Sequence, residues 1–433
     1  MFWLLISLGF AEPITLQEAY SLAIENNAQI KIADWSSAKA RLTEQQAWLS
    51  MLPQVKAEAS WLYFDEPIEI SLTGDSDVDC TLFESFGFGD LCDSFSQPTV
   101  VREDEIYEGK LQLVQPLTPL YSIVNGARAQ RALHQVAQAE ADITRGDVMV
   151  SVTESYMELQ TMAGAEALAA HTIKRLEAHA QRAQRFSEQG LLTELDVRQI
   201  ELGVKDAQLA AQQAALGRRV AERKLEILLG KSGFEPQAIA LPTALPSFQT
   251  QSNTAQGAVF QGQIDAAKAG RHAAAGQMIP TVALIAGITQ TEGQGAFAAN
   301  EQRFVGVTVS GDFQWGQKAL QVRQSHIDVQ MAEAGSEIQL QQQALKQEAA
   351  IRQAEMAYSE WQTAEEKALL AADLRAKAES QFEQQLLSAA ELMDSENEQL
   401  AAEMAVLSAK QKAVVALATA QNVLGLPIQP EQL

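Results

Sequence analysis

The chain carries nearly the same pattern twice, and that duplication constrains its fold more than any single residue. Met51-Leu52-Pro53 opens a stretch of alternating polarity, and Met278-Ile279-Pro280 opens another 227 residues later. Gly190-Leu191-Leu192-Thr193 is echoed by Gln385-Leu386-Leu387-Ser388, and Leu229-Gly230 by Leu424-Gly425, both pairs 195 residues apart. Each half is therefore expected to run helix, strand pair, long helix, tight turn, helix, glycine stop. The expected fold class is mainly α with β, built from a duplicated helix, strand pair, long helix and helix unit. Residues 12–230 form the first repeat, 231–253 a proline-bearing linker or equatorial segment, 254–425 the second repeat and 426–433 a tail.

Local signals place the elements. Thr15-Leu16-Gln17-Glu18 is a capping box that starts a helix running, with a break at Asn26-Asn27, to about Ser50. Pro53 stops helix, and in residues 54–64 Val55, Ala57, Ala59, Trp61 and Tyr63 alternate with Gln54, Lys56, Glu58 and Ser60. An acidic loop over 65–105, with 12 Asp or Glu and one Arg, leads to a returning strand at 109–115 that Pro116 ends. A helix over 127–187 would reach roughly 90 Å, longer than a globular domain needs. In the second half a helix is expected over 254–277, strands over 281–290 and 304–310, and a long helix over 317–384. Thr193 with Asp196, and Ser388 with Glu391, start the helices after the two tight turns.

Within 193–229, Leu195, Leu202, Leu209 and Leu216 recur every seven residues, and Ile200, Ala207, Ala214 and Ala221 recur at the same interval. With Val197 and Val204, the second set lies about 140 to 200° around the helix from the leucines. Two opposed apolar seams suit a helix with neighbours on both sides, in a ring or layered wall, since a two-helix coiled coil needs one seam. An ordinary two-sided core helix satisfies the same pattern.

Composition excludes several function classes. With 32 basic and 55 acidic residues the net charge is −23, which repels a phosphate backbone, so nucleic acid is not an expected partner. No run of about 20 apolar residues occurs, so a membrane crossing would have to use strands. Met1 to Ala11 is apolar, uncharged and ends in a small-x-small pattern, which reads as a signal peptide. Cys80 and Cys92, the two cysteines, sit in the acidic loop and are candidates for a disulfide in an oxidising compartment. Gly230-Lys231-Ser232 lacks the first glycine of a phosphate loop, and Asp75, Asp77 and Asp79 lack the turn glycine and closing Glu of a calcium loop. The five histidines have no ligand spacing. No catalytic residue, metal or cofactor is expected.

Each chain offers four strands, whereas lipid tolerates only closed barrels of about eight or more, so several copies would have to share one. Apolar side chains of the strands would then face lipid, and Gln54, Lys56, Glu58 and Ser60 water. Ile14-Thr15-Leu16-Gln17-Glu18-Ala19, Ala23-Ile24-Glu25-Asn26-Asn27, the two Met-x-Pro junctions, the Gly190–Thr193 turn and the Leu-Gly steps together resemble the TolC-type outer membrane efflux proteins. Three places depart from that family: Ala28 follows the Asn pair, the second strand exit reads Gly311-Asp312-Phe313-Gln314-Trp315-Gly316, and Thr118-Pro119-Leu120 follows the first.

The resemblance implies a homotrimer in the outer membrane, sharing a 12-stranded transmembrane β-barrel above a long periplasmic α-helical barrel. It implies an exit duct for small molecules or proteins in a tripartite efflux or type I secretion system, with a periplasmic adaptor and an inner membrane transporter as partners. Gly190, Leu191, Leu192 and Thr193, with Leu386, Leu387 and Ser388, become adaptor-contact candidates, although hairpin and cap chemistry alone also accounts for them. Glu188, Glu379 and Glu383 precede the tips and become candidates for an acidic periplasmic gate, although solvated helix ends read the same way. A rival from another class is an elongated periplasmic coiled-coil scaffold or adaptor whose strands form a soluble domain.

Overall fold

The computed structural model describes residues 12–70, 85–86, 99–242, 244–251, 254–295, 299–311 and 314–429. The expected signal peptide, Met1 to Ala11, lies outside the described residues, as do Cys80, Cys92, the Asp75, Asp77 and Asp79 series, and Asp312-Phe313. In chain order the elements are β1 (Glu12–Ile14), α1 (Leu16–Asn26), α2 (Ala28–Leu49), β2 (Gln54–Tyr63), β3 (Ile68–Ile70), β4 (Thr99–Pro116), α3 (Leu120–Glu188) and α4 (Glu194–Leu229). After them come β5 (Phe234–Pro236), α5 (Ala255–Gly276), β6 (Thr281–Gln294), β7 (Glu301–Ser310), α6 (Trp315–Glu383) and α7 (Ala389–Val423). The helices α3 and α6, which correspond between the two halves, are both 69 residues long.

The chain divides into two compact units, and each draws on both sequence halves. One unit contains residues 40–133 and 263–332, which include β2, β3, β4, β6 and β7. Its sheet has the order β2-β4-β6-β7, every neighbour antiparallel, with β3 pairing β4 beyond β2. The strand pair of each half thus joins the other at β4–β6, so the sheet crosses the repeat boundary.

Register sorts the sheet into two faces. Ala57 pairs Leu111, Leu111 pairs Ile288, Ala286 pairs Val305 and Leu284 pairs Val307, which together make one apolar face. Trp61 sits opposite Tyr107 at the β3 end of that face. On the other face Glu58 sits opposite Lys110, Lys56 opposite Gln112, and Lys110 opposite Thr289. All ten residues of β2 are exposed, as are Val305, Val307 and Val309 of β7, so neither face of these edge strands is covered within the chain.

The returning strand corrects the sequence expectation of a short strand at 109–115 after a loop reaching 105. β4 starts at Thr99 and runs 18 residues, and β3 takes Ile68–Ile70 out of the loop as well. From Arg102 to Glu105 β4 is polar on both faces, so it has no alternation to detect there. Its pairing with β6 shifts register between Arg102 and Tyr107. Gly293 makes that bulge possible: its φ is +88°, and a Cβ there would meet the Glu105 carbonyl oxygen. In α3 the helix begins at Leu120, seven residues earlier than the apolar pattern indicated, directly behind Pro119.

The second unit contains residues 12–39 of the described chain, 134–262 and 333–429. Its core joins α1, α3, α4, α6 and α7 through Tyr20, Val152, Tyr156, Leu225, Leu229, Ala354, Ala413 and Leu417, all buried. Alanine is frequent where the helices meet: Ala350, Ala357, Ala364, Ala371 and Ala378 of α6 recur every seven residues and are all buried. Small side chains let helix axes approach closely, and dispersion then replaces bulk in the contact. The Asn26-Asn27 break is a hinge held in place: Asn27 accepts from the Gln29 amide at 2.8 Å and donates to the Leu228 carbonyl at 3.2 Å.

β1 and β5 pair in parallel and bring the start of the first repeat against the linker. Tyr156 seals the junction, with its hydroxyl 2.7 Å from the Ile14 carbonyl and 2.9 Å from the Gln237 carbonyl. Burial pushes this phenol up to about 12, so it remains a neutral donor. Both carbonyls keep a second donor, the Gln237 amide on Ile14 and the Gln160 side chain on Gln237, so Tyr156→Phe is expected to cost about 0.5–1.5 kcal/mol, read as a lower melting temperature with unchanged helical circular dichroism.

Candidate functional site at the hairpin tips

The helix hairpins α3–α4 and α6–α7 end in turns of the same construction. At the first, the Leu191 amide donates to the Phe186 carbonyl at 2.9 Å and the Gly190 amide to Ser187 at 2.9 Å. At the second, the Leu386 amide donates to Gln381 at 2.9 Å and the Gln385 amide to Phe382 at 3.0 Å. This is the Schellman closure, which needs a left-handed residue just past the helix end. Gly190 supplies it with φ +74°, and Gln385 with φ +61°. A non-glycine residue in that region costs roughly 1–2 kcal/mol. The next helices then start on capping boxes, Thr193 with Asp196 and Ser388 with Glu391.

The two leucines of each tip have different surroundings. Leu192 and Leu387 fold back onto an apolar cluster of Leu176, Ile200, Phe382, Leu392 and Met393, in which the rings of Phe186 and Phe382 lie 6.2 Å apart. Leu191 and Leu386 point outward, 48% and 71% exposed. Among the sequence candidates for contact, Leu191 and Leu386 are therefore the apolar groups free to meet another molecule. Leu192 and Leu387 hold the turns, and Gly190, Thr193 and Ser388 shape them.

The three candidate gate carboxylates are likewise unequal. Glu188 is exposed and accepts a hydrogen bond from Gln184 at 3.3 Å. Glu379 pairs with Arg375 at 2.8 Å and lies 4.0 Å from Arg182, while Glu383 pairs with Arg182 at 2.5 Å. Arg182 is on α3 and both carboxylates are on α6, so the pairs join the two hairpins within one chain. Each of the two α6 carboxylates thus has a guanidinium partner within the chain.

Beneath the tips lies a buried charge cluster that no sequence motif announces. Glu396 of α7 is 1% exposed. One of its oxygens accepts from Arg175 Nε at 3.3 Å and Nη2 at 3.1 Å, and the other lies 3.2 Å from His179 Nε2 and 3.6 Å from Arg375 Nη1. One carboxylate thus ties α7 to α3 and to α6. Burial alone would raise its pKa, but the His179 hydrogen bond and the charges of Arg175, His179 and Arg375 outweigh that and hold it below 4.5. The signal was present: Thr172, Leu176, His179 and Ala183 are all buried on α3 at three- and four-residue spacing, so a histidine occupied an inward position.

A depressed carboxyl pKa contributes stability that is complete above the ordinary value near 4.5 and is lost as pH falls through the folded value. Chemical unfolding of this unit is therefore expected to become easier below about pH 4.5. Glu396→Gln is expected to lower stability at pH 7 by roughly 2–3 kcal/mol and to remove part of the acid sensitivity. That figure lies below the ~3–5 kcal/mol of a fully buried pair because Arg175 remains partly exposed. Equal acid sensitivity in the variant would contradict this account.

No family model and no curated protein sequence matches the chain. Solved structures do match its fold. The CmeC outer membrane channel of Campylobacter jejuni is 13% identical, with 95% of this chain and 85% of that chain covered at a TM-score of 0.78. The outer membrane protein VceC of Vibrio cholerae is 14% identical, covering 96% and 97% at 0.76. The MtrE outer membrane channel of Neisseria gonorrhoeae, in its open state, is 16% identical, covering 96% and 90% at 0.73. The chain therefore has the fold of these TolC-type outer membrane channels.

Proposed function

We propose that three copies of this chain form an outer membrane exit duct, extending into the periplasm, that exports small molecules or proteins. The observation that carries this reading is the sheet. One of its faces is mainly apolar and the other mainly polar, and it ends at β2 on one side and β7 on the other. A membrane leaves no backbone group unpaired, and four strands cannot close. Directions alternate across β2-β4-β6-β7, so β7 of one copy meets β2 of the next antiparallel, and three copies close a 12-stranded barrel. Apolar residues such as Leu111, Ile288 and Val305 then face lipid, and Lys56, Glu58 and Lys110 face the lumen. Among the described residues no helix is long and apolar enough to cross a membrane, a fact that bears only on helices.

The duct works by geometry and its neighbours by specificity. An inner membrane transporter selects the cargo, and a periplasmic adaptor joins it to the tips, where Leu191 and Leu386 are the apolar contacts and Gly190, Leu192, Thr193, Leu387 and Ser388 hold the turn. Resting closure is assigned to the same end. Threefold symmetry places three sets of Glu379, Glu383 and Glu188 around the axis, with Arg182 and Arg375 interleaved.

Light scattering in detergent is expected to give three chains per particle, and planar bilayers to show discrete conductance steps. A stable monomer in detergent-free buffer would instead fit the rival reading of a soluble periplasmic scaffold. For the gate, the Glu379→Gln, Glu383→Gln double variant frees Arg182 and Arg375 and is expected to shift ion preference toward anions. Unchanged selectivity would remove these carboxylates from the gate.

A further inference from the structure

The apolar stripe on α4 has no cover within its own chain. Leu195, Leu202, Leu209 and Leu216 are 74, 57, 54 and 65% exposed, whereas Ile200, Ala207, Ala214 and Ala221 on the opposite seam are buried. A second uncovered stripe runs along α6, through Leu345, Met356, Leu370 and Leu374. Beside Met356 the surface is hollowed between α6 and α7 into two adjoining pockets of about 380 Å³ each, which share Met356 and Glu360. All these residues belong to one compact unit.

We propose that the α4 stripe of one copy lies antiparallel against the α6 stripe of the next, stitched by a matched ladder of charges. The proposal rests on the trimer reading and deepens it by naming the surfaces. The Phe186 and Phe382 rings, four and three residues before Gly190 and Gln385, lie 6.2 Å apart, so the two tips of one chain are nearly level, and cyclic symmetry carries that level to every copy. Residues counted from Gly190 along α4 and back from Gln385 along α6 can therefore be compared. With the α6 count running four residues ahead, about 6 Å at 1.5 Å per residue, Arg198 comes level with Asp373 and Lys205 with Glu366. Nearest the tip the signs exchange, and Glu194 comes level with Lys377. At about 100° per residue these groups lie roughly 40 to 100° to one side of their stripes, and antiparallel packing brings those two sides together. All six are exposed.

The apolar residues fall into step at the same alignment. Leu202 meets Leu370, Leu216 meets Met356 and Ile227 meets Leu345, again in descending against ascending order. A partner of unrelated sequence would have no reason to match both the spacing and the exchange of sign. A second copy of this chain does, and because seam and groove are different surfaces the contact is head-to-tail and closes as a ring.

A benzophenone amino acid placed at Leu216 tests the contact directly. Irradiation of the full chain in detergent is expected to give covalent dimers and trimers whose linked peptides map to residues 345–370 of another copy. Adducts on other segments, in particles that still contain three chains, would overturn this inference and leave the trimer standing. A monomer by light scattering would overturn both. As a second variant, Arg198→Glu with Lys205→Glu is expected to lower the trimer fraction several-fold at limiting concentration. Adding Glu366→Lys and Asp373→Lys to that chain is expected to restore it, more fully at low salt. Trimer content unaffected by the first pair, or unrestored by the second, would also overturn it.

Discussion

Hydrogen bonding at the edges of one sheet decides how this chain can be used. β2 and β7 each leave a row of backbone donors and acceptors along an apolar surface, and such an edge must be wetted, covered or paired. Water satisfies it only in a soluble protein, where the apolar face made by Leu111, Ile288 and Val305 would have no cover. Pairing between copies satisfies edge and face together, because the closed barrel turns that face to hydrocarbon. In the proposed duct the oligomer is thus the condition under which the strands can exist where they are used.

The helices meet a parallel requirement by different means. One seam of α4 is closed within the chain by alanines and branched residues, and the leucine seam is left outside. Alanine at the buried positions keeps helices close, while the exposed leucines offer the larger apolar area that the proposed contact between copies needs. Close packing also limits where charge can go, and Glu396, the one strongly buried carboxylate among the described residues, has two guanidinium groups and an imidazole beside it, drawn from two helices. Near the tips, then, ionic groups couple the hairpins beside the apolar cluster of Leu176, Ile200, Phe382 and Leu392.

Much of this plan was legible in the sequence because it rests on short-range chemistry. Thr15, Thr193 and Ser388 each cap a helix with a carboxylate three residues on, and the structure pairs each as a capping box. Alternation identified β2 because one face is apolar and the other polar. It missed the first ten residues of β4, where Arg102, Glu103, Asp104 and Glu105 are polar on both faces and the strand is defined by its partner. At the tips, the motif located the turns but could not separate Leu191 from Leu192, since adjacent residues of one type differ only in the packing around them. The charge cluster was hidden for a related reason: Arg175, His179, Arg375 and Glu396 are scattered over some 220 residues and meet only when three helices pack.

The most direct test of the central claim is disulfide trapping across the sheet edges. With Cys80 and Cys92 replaced by serine, single cysteines at Val55, Ala57 or Ala59 of β2 would be combined with single cysteines at Val305, Val307 or Val309 of β7. Nonreducing gels of oxidised membranes are expected to show linked dimers and trimers for at least one register, returning to monomer on reduction. Monomer alone in every combination would contradict a barrel shared between copies.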